Sequence, residues 1–231
     1  MEALSRDPEP QLAFVGFLGR IRLGDAGAVD RFRASWVRHG ASDRIDALTE
    51  IVWCNPPLPT TVLRVLIEDP CALVVPAAAG MLLREPTEPH QELLAAALDR
   101  EWARLTGDAP PRDPQQHGRS VMHRSRIATL LEGGEAAREL LPPELRGDAK
   151  KLEREGFADP SIIAAHALLH ALPMFDEEFA RTQLRRWTEA SAPLLRFDAL
   201  KLLGYGTGSV PRVLSTDPDP RIRALFTTLV G

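Results

Sequence analysis

The chain has 231 residues, of which 44% are hydrophobic and 26% charged, so it can bury a sizeable core and lacks the composition of a disordered segment. Its net charge of −4 provides no overall drive toward nucleic acid or an anionic membrane. Leu and Ala dominate, aromatic residues make up only 6%, and alternating β-branched stretches are nearly absent, a pattern that predicts helix and argues against a sheet.

Met1 to Pro10 is acidic and polar, and no long apolar h-region follows, so no secretory leader is expected. Helices are predicted near Gln11–Leu23, Ala26–Arg38, Asp43–Val52, Thr60–Glu68, Cys71–Leu83 and Glu88–Leu105, with Asn55-Pro56-Pro57 as a clean break. The longest apolar run, Leu73 to Leu83, is too short to span a bilayer and contains Pro76 and Gly80. Cys54 and Cys71 have no nearby Cys or His companions, so reduced thiols in a cytoplasmic protein are expected. Thr106 to Ser120 reads as a long polar loop, followed by a short helix, Val121–Leu131, the breaker Gly133-Gly134, and a charged stretch, Arg146–Glu155. The chain is expected to be a single α-helical repeat domain over 1–231. If the fold has two halves, their joint lies within 106–155.

The C-terminal third is the most patterned. Asp-Pro recurs at Asp7-Pro8, Asp69-Pro70, Asp159-Pro160, Asp217-Pro218 and Asp219-Pro220. Asp can cap the unpaired N–H groups of a first turn, and Pro just after it loses nothing by having no N–H, so these pairs predict helix starts. A buried helix is expected from Pro160, an outer amphipathic one from Glu177 with Phe179, Leu184 and Trp187, and a buried one from Pro193. A short piece near Val210 to Leu214 precedes a final helix from Pro220. In that last helix Ile222, Leu225, Phe226, Leu229 and Val230 form one apolar stripe. Pro193-Leu194-Leu195-Arg196 leads to Leu202-Leu203-Gly204, and Pro220-Arg221-Ile222-Arg223 leads to Leu229-Val230-Gly231, with the same internal spacing. The prolines at 160, 193 and 220 are 33 and 27 residues apart, the period of a helical hairpin.

In these segments the chain resembles the HEAT-repeat, armadillo-like family of α-solenoids, most closely over Pro193–Gly204 and Pro220–Gly231 and more loosely over Pro160–Ala171, Pro70–Leu82 and Pro10–Ile21. The resemblance implies an all-α fold, an α/α superhelix of hairpins whose inner helices build a concave, partner-gripping surface. A non-enzymatic scaffold or adaptor for a protein partner is the function expected, with no cofactor, no metal and no membrane partner. The outward groups Arg196, Lys201, Arg221 and Arg223, with Arg119, Arg124 and Arg126, are the expected contacts. An apolar face left after Gly231 would be covered by a second copy or by another protein. The alternative is a HEAT-like nucleic-acid-binding protein or an enzyme of the DNA glycosylase type, using Trp187, Asp198 and the Arg set, against which the net acidity counts.

Other constellations have plainer readings. Arg38-His39-Gly40 resembles the Arg-His-Gly motif of histidine phosphatases, but the residues before it form a helical pattern rather than a strand. Arg38 and His39 then favour a helix C-terminus that Gly40 ends. His166 and His170 are spaced to share a helix face, as zinc ligands do, yet Ala167 stands where a zincin carries Glu. In register with the later helices they occupy packing positions, so histidines hydrogen-bonded to a neighbouring helix are expected. His117 and His123 with Arg119, Arg124 and Arg126 form a basic cluster that reads as a solvated loop and helix face, with a docking site for an acidic peptide or a phosphate as the alternative. Gly204 to Ser209 reads as a helix end and turn, Trp36, Trp53, Trp102 and Trp187 as packing anchors, and Asp176, Glu177 and Glu178 as helix-start carboxylates.

Overall fold

The computed structural model describes residues 2–25, 27–54, 58–112, 159–206 and 210–231. Among them the fold is all-α, with no strand. The helices are α1 (Pro10–Arg22), α2 (Ala28–Trp36), α3 (Ala41–Cys54), α4 (Thr60–Ile67), α5 (Val75–Leu82), α6 (Glu88–Thr106), α7 (Pro160–Ala171), α8 (Glu177–Trp187), α9 (Pro193–Gly206) and α10 (Pro220–Val230). Short 3-10 turns occur at Leu4–Arg6, Leu172–Met174 and Arg212–Thr216. The predicted elements at Val121–Leu131 and Arg146–Glu155, and nearly all of the expected joint within 106–155, lie outside the described residues.

The five Asp-Pro pairs named above, all among the described residues, use one device, although only two of them open a helix directly. In each, a carboxylate oxygen accepts from the backbone N–H two residues on: Asp7 from Glu9, Asp69 from Cys71, Asp159 from Ser161, Asp217 from Asp219, and Asp219 from Arg221, at 2.7–2.9 Å. Asp159 and Asp219 are thereby the N-caps of α7 and α10. The other three close turns. Asp69 diverts the chain at Cys71, and α5 begins only at Val75 with Pro76 in its first turn, later than the predicted start at Cys71. α6 ends at Gly107, whose φ of 87° is the left-handed conformation that only Gly adopts cheaply.

α1 packs on α2 and α3, α2 on α4, and α4 on α5 and α6. Phe14, Phe32 and Trp36 form an aromatic triangle with ring centroids 4.9–5.5 Å apart at the α1–α2 contact. α7 packs on both α5 and α6, α9 lies on α7 and α8, and α10 lies on α9. One continuous hydrophobic core runs from Ala13 on α1 to Leu203 on α9. A smaller cluster of Leu194, Phe197, Leu200, Leu214, Ile222 and Leu225 attaches α10. The burial follows the sequence pattern. α7 and α9 are buried on nearly all sides, α8 only through Ala180, Leu184 and Trp187, and α10 through Ile222 and Leu225, leaving Val230 exposed.

Gly204 does not end its helix as expected; α9 continues to Gly206. A Cβ on Gly204 would stand 2.5 Å from a Leu229 methyl, so its function is to let α10 approach α9 closely.

Candidate functional site: a buried histidine–aspartate cluster

Among the described residues, a cluster of three metal-ligand-type side chains lies between α7 and α9. His166 and His170 are four residues apart on α7, so their rings share a face, with centroids 4.6 Å apart. Asp198 enters from α9. Its Oδ2 meets His166 Nδ1 in a short hydrogen bond, and its Oδ1 lies 3.6 Å from His170 Nε2. All three side chains are largely buried, and one ligand-type atom from each lies within 4.8 Å of the others. Lys201 lies one turn beyond Asp198 on α9 and is also buried.

The electrostatics are strongly perturbed. Burial alone would raise the Asp198 carboxyl; the adjoining His166, through charge and hydrogen bond, and then His170 hold it far below the ordinary carboxylate range. Burial pushes the His170 imidazole down, outweighing the pull of Asp198, while His166 and Lys201 push it further. His170 Nε2 is buried without a hydrogen-bond partner. The cluster therefore combines a buried carboxylate with an imidazole nitrogen that stands 3.6 Å from it, just beyond hydrogen-bond distance. It is suited to holding a cation or a proton.

The expectation of histidines bonded to a neighbouring helix describes His166. What it missed is Asp198 as the partner. The signal lay in the repeat register. Asp198 stands five residues after Pro193 and His166 six after Pro160, so adjacent, aligned helices bring them level.

The expected contact residues among those described do not form one outward basic face. Lys201 is buried, at 6% exposure. Arg196 is clamped by both Asp217 oxygens and by the Ala190 and Ser191 carbonyls. Arg221 pairs with Asp219, and exposed Arg223 donates to the carbonyls of Asp217 and Pro218. Three of these arginines thus brace the turn between α9 and α10, because the acidic residues of Asp217-Pro218-Asp219 lie beside them. Arg119, Arg124 and Arg126, with His117 and His123, lie outside the described residues.

The remaining motifs behave as structure. Arg38 and His39 follow the end of α2, with no strand to deliver them; Arg38 donates to Ala34 O, and His39 O accepts from Arg44. Asp176 caps α8 by accepting from Phe179 N–H, and Glu177 and Glu178 both pair with Arg181. Trp36 donates to Asp69. Trp102 meets Trp187 edge-on at 5.1 Å, with the Arg186 guanidinium over Trp102. The side chain of Trp53 and residues Thr207 to Ser209 are not among those described.

No helix among the described residues is long and apolar enough to cross a membrane. No family model, curated protein or solved structure matches the chain.

Proposed function

We propose that the chain is a HEAT-like α-helical scaffold that binds a protein partner and carries out no catalysis of its own. The observation that supports this most is the serial packing of the three proline-headed helices. α7, headed by Pro160, lies against α9, headed by Pro193, which lies against α10, headed by Pro220, and α8 flanks the row on the outside of α9. Each of these helices buries part of its surface on the next, as in hairpin repeats, whose common use is an extended binding surface.

The nucleic-acid alternative has less support. A duplex-binding face needs cations directed at phosphates, whereas Arg196 and Arg221 are paired with Asp217 and Asp219, and Lys201 is buried. Cross-linking mass spectrometry on the intact chain in its source lysate tests the reading. A stoichiometric partner with cross-links clustered on α8 to α10 is expected. Retention on duplex DNA at low salt, or purification from lysate as a solitary monomer without cross-links, overturns it.

A further inference from the structure

We propose that His166, His170 and Asp198 form a binding site for a divalent transition-metal ion of the zinc class, joining α7 to α9. The inference is independent of the partner-binding reading and stands on the geometry of the cluster. Two imidazoles one helical turn apart and a carboxylate from the adjacent helix supply two nitrogen donors and one oxygen donor. This set suits zinc and its late first-row neighbours better than magnesium or calcium.

The ligand atoms already lie within 4.8 Å of one another. A tetrahedral ion with bonds of about 2.0–2.2 Å holds its ligand atoms about 3.3 Å apart, so side-chain rotations moving them by about an ångström close the site. The His166–Asp198 hydrogen bond is the contact such a trio makes without an ion. The His170 imidazole has a second feature that points to a ligand: Nε2 is buried and makes no hydrogen bond. Its nearest polar atom, Asp198 Oδ1, stands at 3.6 Å, and a bound ion would complete the coordination of this nitrogen.

Three protein ligands leave a fourth position, as in zinc sites that keep an exchangeable ligand. Lys201 constrains its occupant. It is buried on α9 three residues from Asp198, so an anionic fourth ligand would suit the site better than a neutral one.

The test uses the full chain, stripped with chelator and titrated calorimetrically with zinc chloride, and separately with cobalt(II) followed by its visible ligand-field bands. One ion per chain, a higher melting temperature with zinc, and intense cobalt bands of low coordination number are expected. His170→Gln and Asp198→Asn should each weaken binding by more than about 100-fold, beyond the loss typical of an outer-shell residue. His39→Gln, which alters a histidine outside the cluster, should bind as the parent does. His170→Gln removes no hydrogen bond of Nε2, and its far-UV circular dichroism reports whether it has folded. Failure of the parent chain to bind a stoichiometric ion overturns the proposal; so does unchanged binding in either folded cluster variant.

Discussion

At the scale of single residues, the side chain that ties together the most structure is Asp69. Its carboxylate is fully buried; it accepts from the Trp36 indole at 2.6 Å, from Arg44 at 3.0 Å and from Cys71 N–H at 2.7 Å. Its own carbonyl accepts from Arg112, whose guanidinium also grips buried Glu101. One residue thus joins α2, α3 and the turn before α5 to the end of α6. Buried ion pairs add little net stability when intact, but removing one partner leaves the other charge stranded. Asp69→Ala strands Arg44, whose side chain is only 3% exposed, and should cost about 3–5 kcal/mol in urea unfolding. A loss below about 1 kcal/mol, the usual value of an exposed pair, would show that water reaches Arg44 and that the network does not bear on the fold.

At the scale of elements, α10 depends on its cap and on a small apolar cluster. Burial alone would raise the Asp219 carboxyl, but the Arg221 guanidinium and backbone N–H, helped by Arg196, hold it below the ordinary carboxylate value of 3.8. A carboxyl whose value is lowered on folding stabilises the fold above its unfolded pKa, and that contribution is lost as pH falls through the folded value. The docking of α10 should therefore weaken in acid, beginning near pH 3.8 and continuing below it. Asp219→Asn keeps a capping oxygen and should flatten this part of the acid limb, while Asp219→Ala should also cost about 1 kcal/mol at neutral pH. Chemical unfolding over a pH series compares the two. An acid limb of unchanged steepness in Asp219→Asn would assign the effect to other carboxyls. The cap itself was legible in the sequence, because Asp-Pro states its own mechanism. The same dipeptide misled at Asp69-Pro70, where the carboxylate closes a turn and is held by Trp36 and Arg44, partners far away in the chain. Gly204 misled for a related reason. A glycine near a helix end suggests a stop, and only the approach of Leu229 shows that it is a packing position. Periodicity reports which face of a helix is apolar; it does not say which helix comes to lie on it. That is why the histidine pair stands out in the sequence, while its aspartate shows only through the similar spacing from Pro160 and Pro193.

At the scale of the whole molecule, the described halves on either side of residues 113–158 share one core. α7 fills the space against α5 and α6, and its Ile163, Ala164, Leu168 and Leu169 belong to the same apolar cluster as Leu63, Leu82 and Leu94. α8 is fastened to α6 by Trp187 against Trp102, and by Arg186, which stacks on Trp102 and pairs with Asp99. Neither half can keep its apolar surface from water if the other leaves, so unfolding should be a single cooperative event. Trp187 provides the test, because it is fully buried on the C-terminal side of this contact while making no hydrogen bond through its indole nitrogen. Its replacement therefore removes packing and little else. Trp187→Ala should cost about 3–5 kcal/mol, as large aromatic deletions in cores do. The loss should lower the midpoint for all signals together: far-UV circular dichroism of the helices, and the near-UV signal of the aromatic triangle at Phe14, Phe32 and Trp36. Two separated transitions in the variant, with the aromatic triangle melting at its parental midpoint, would mean that the N-terminal helices are stable alone and that the shared core joins two independent units.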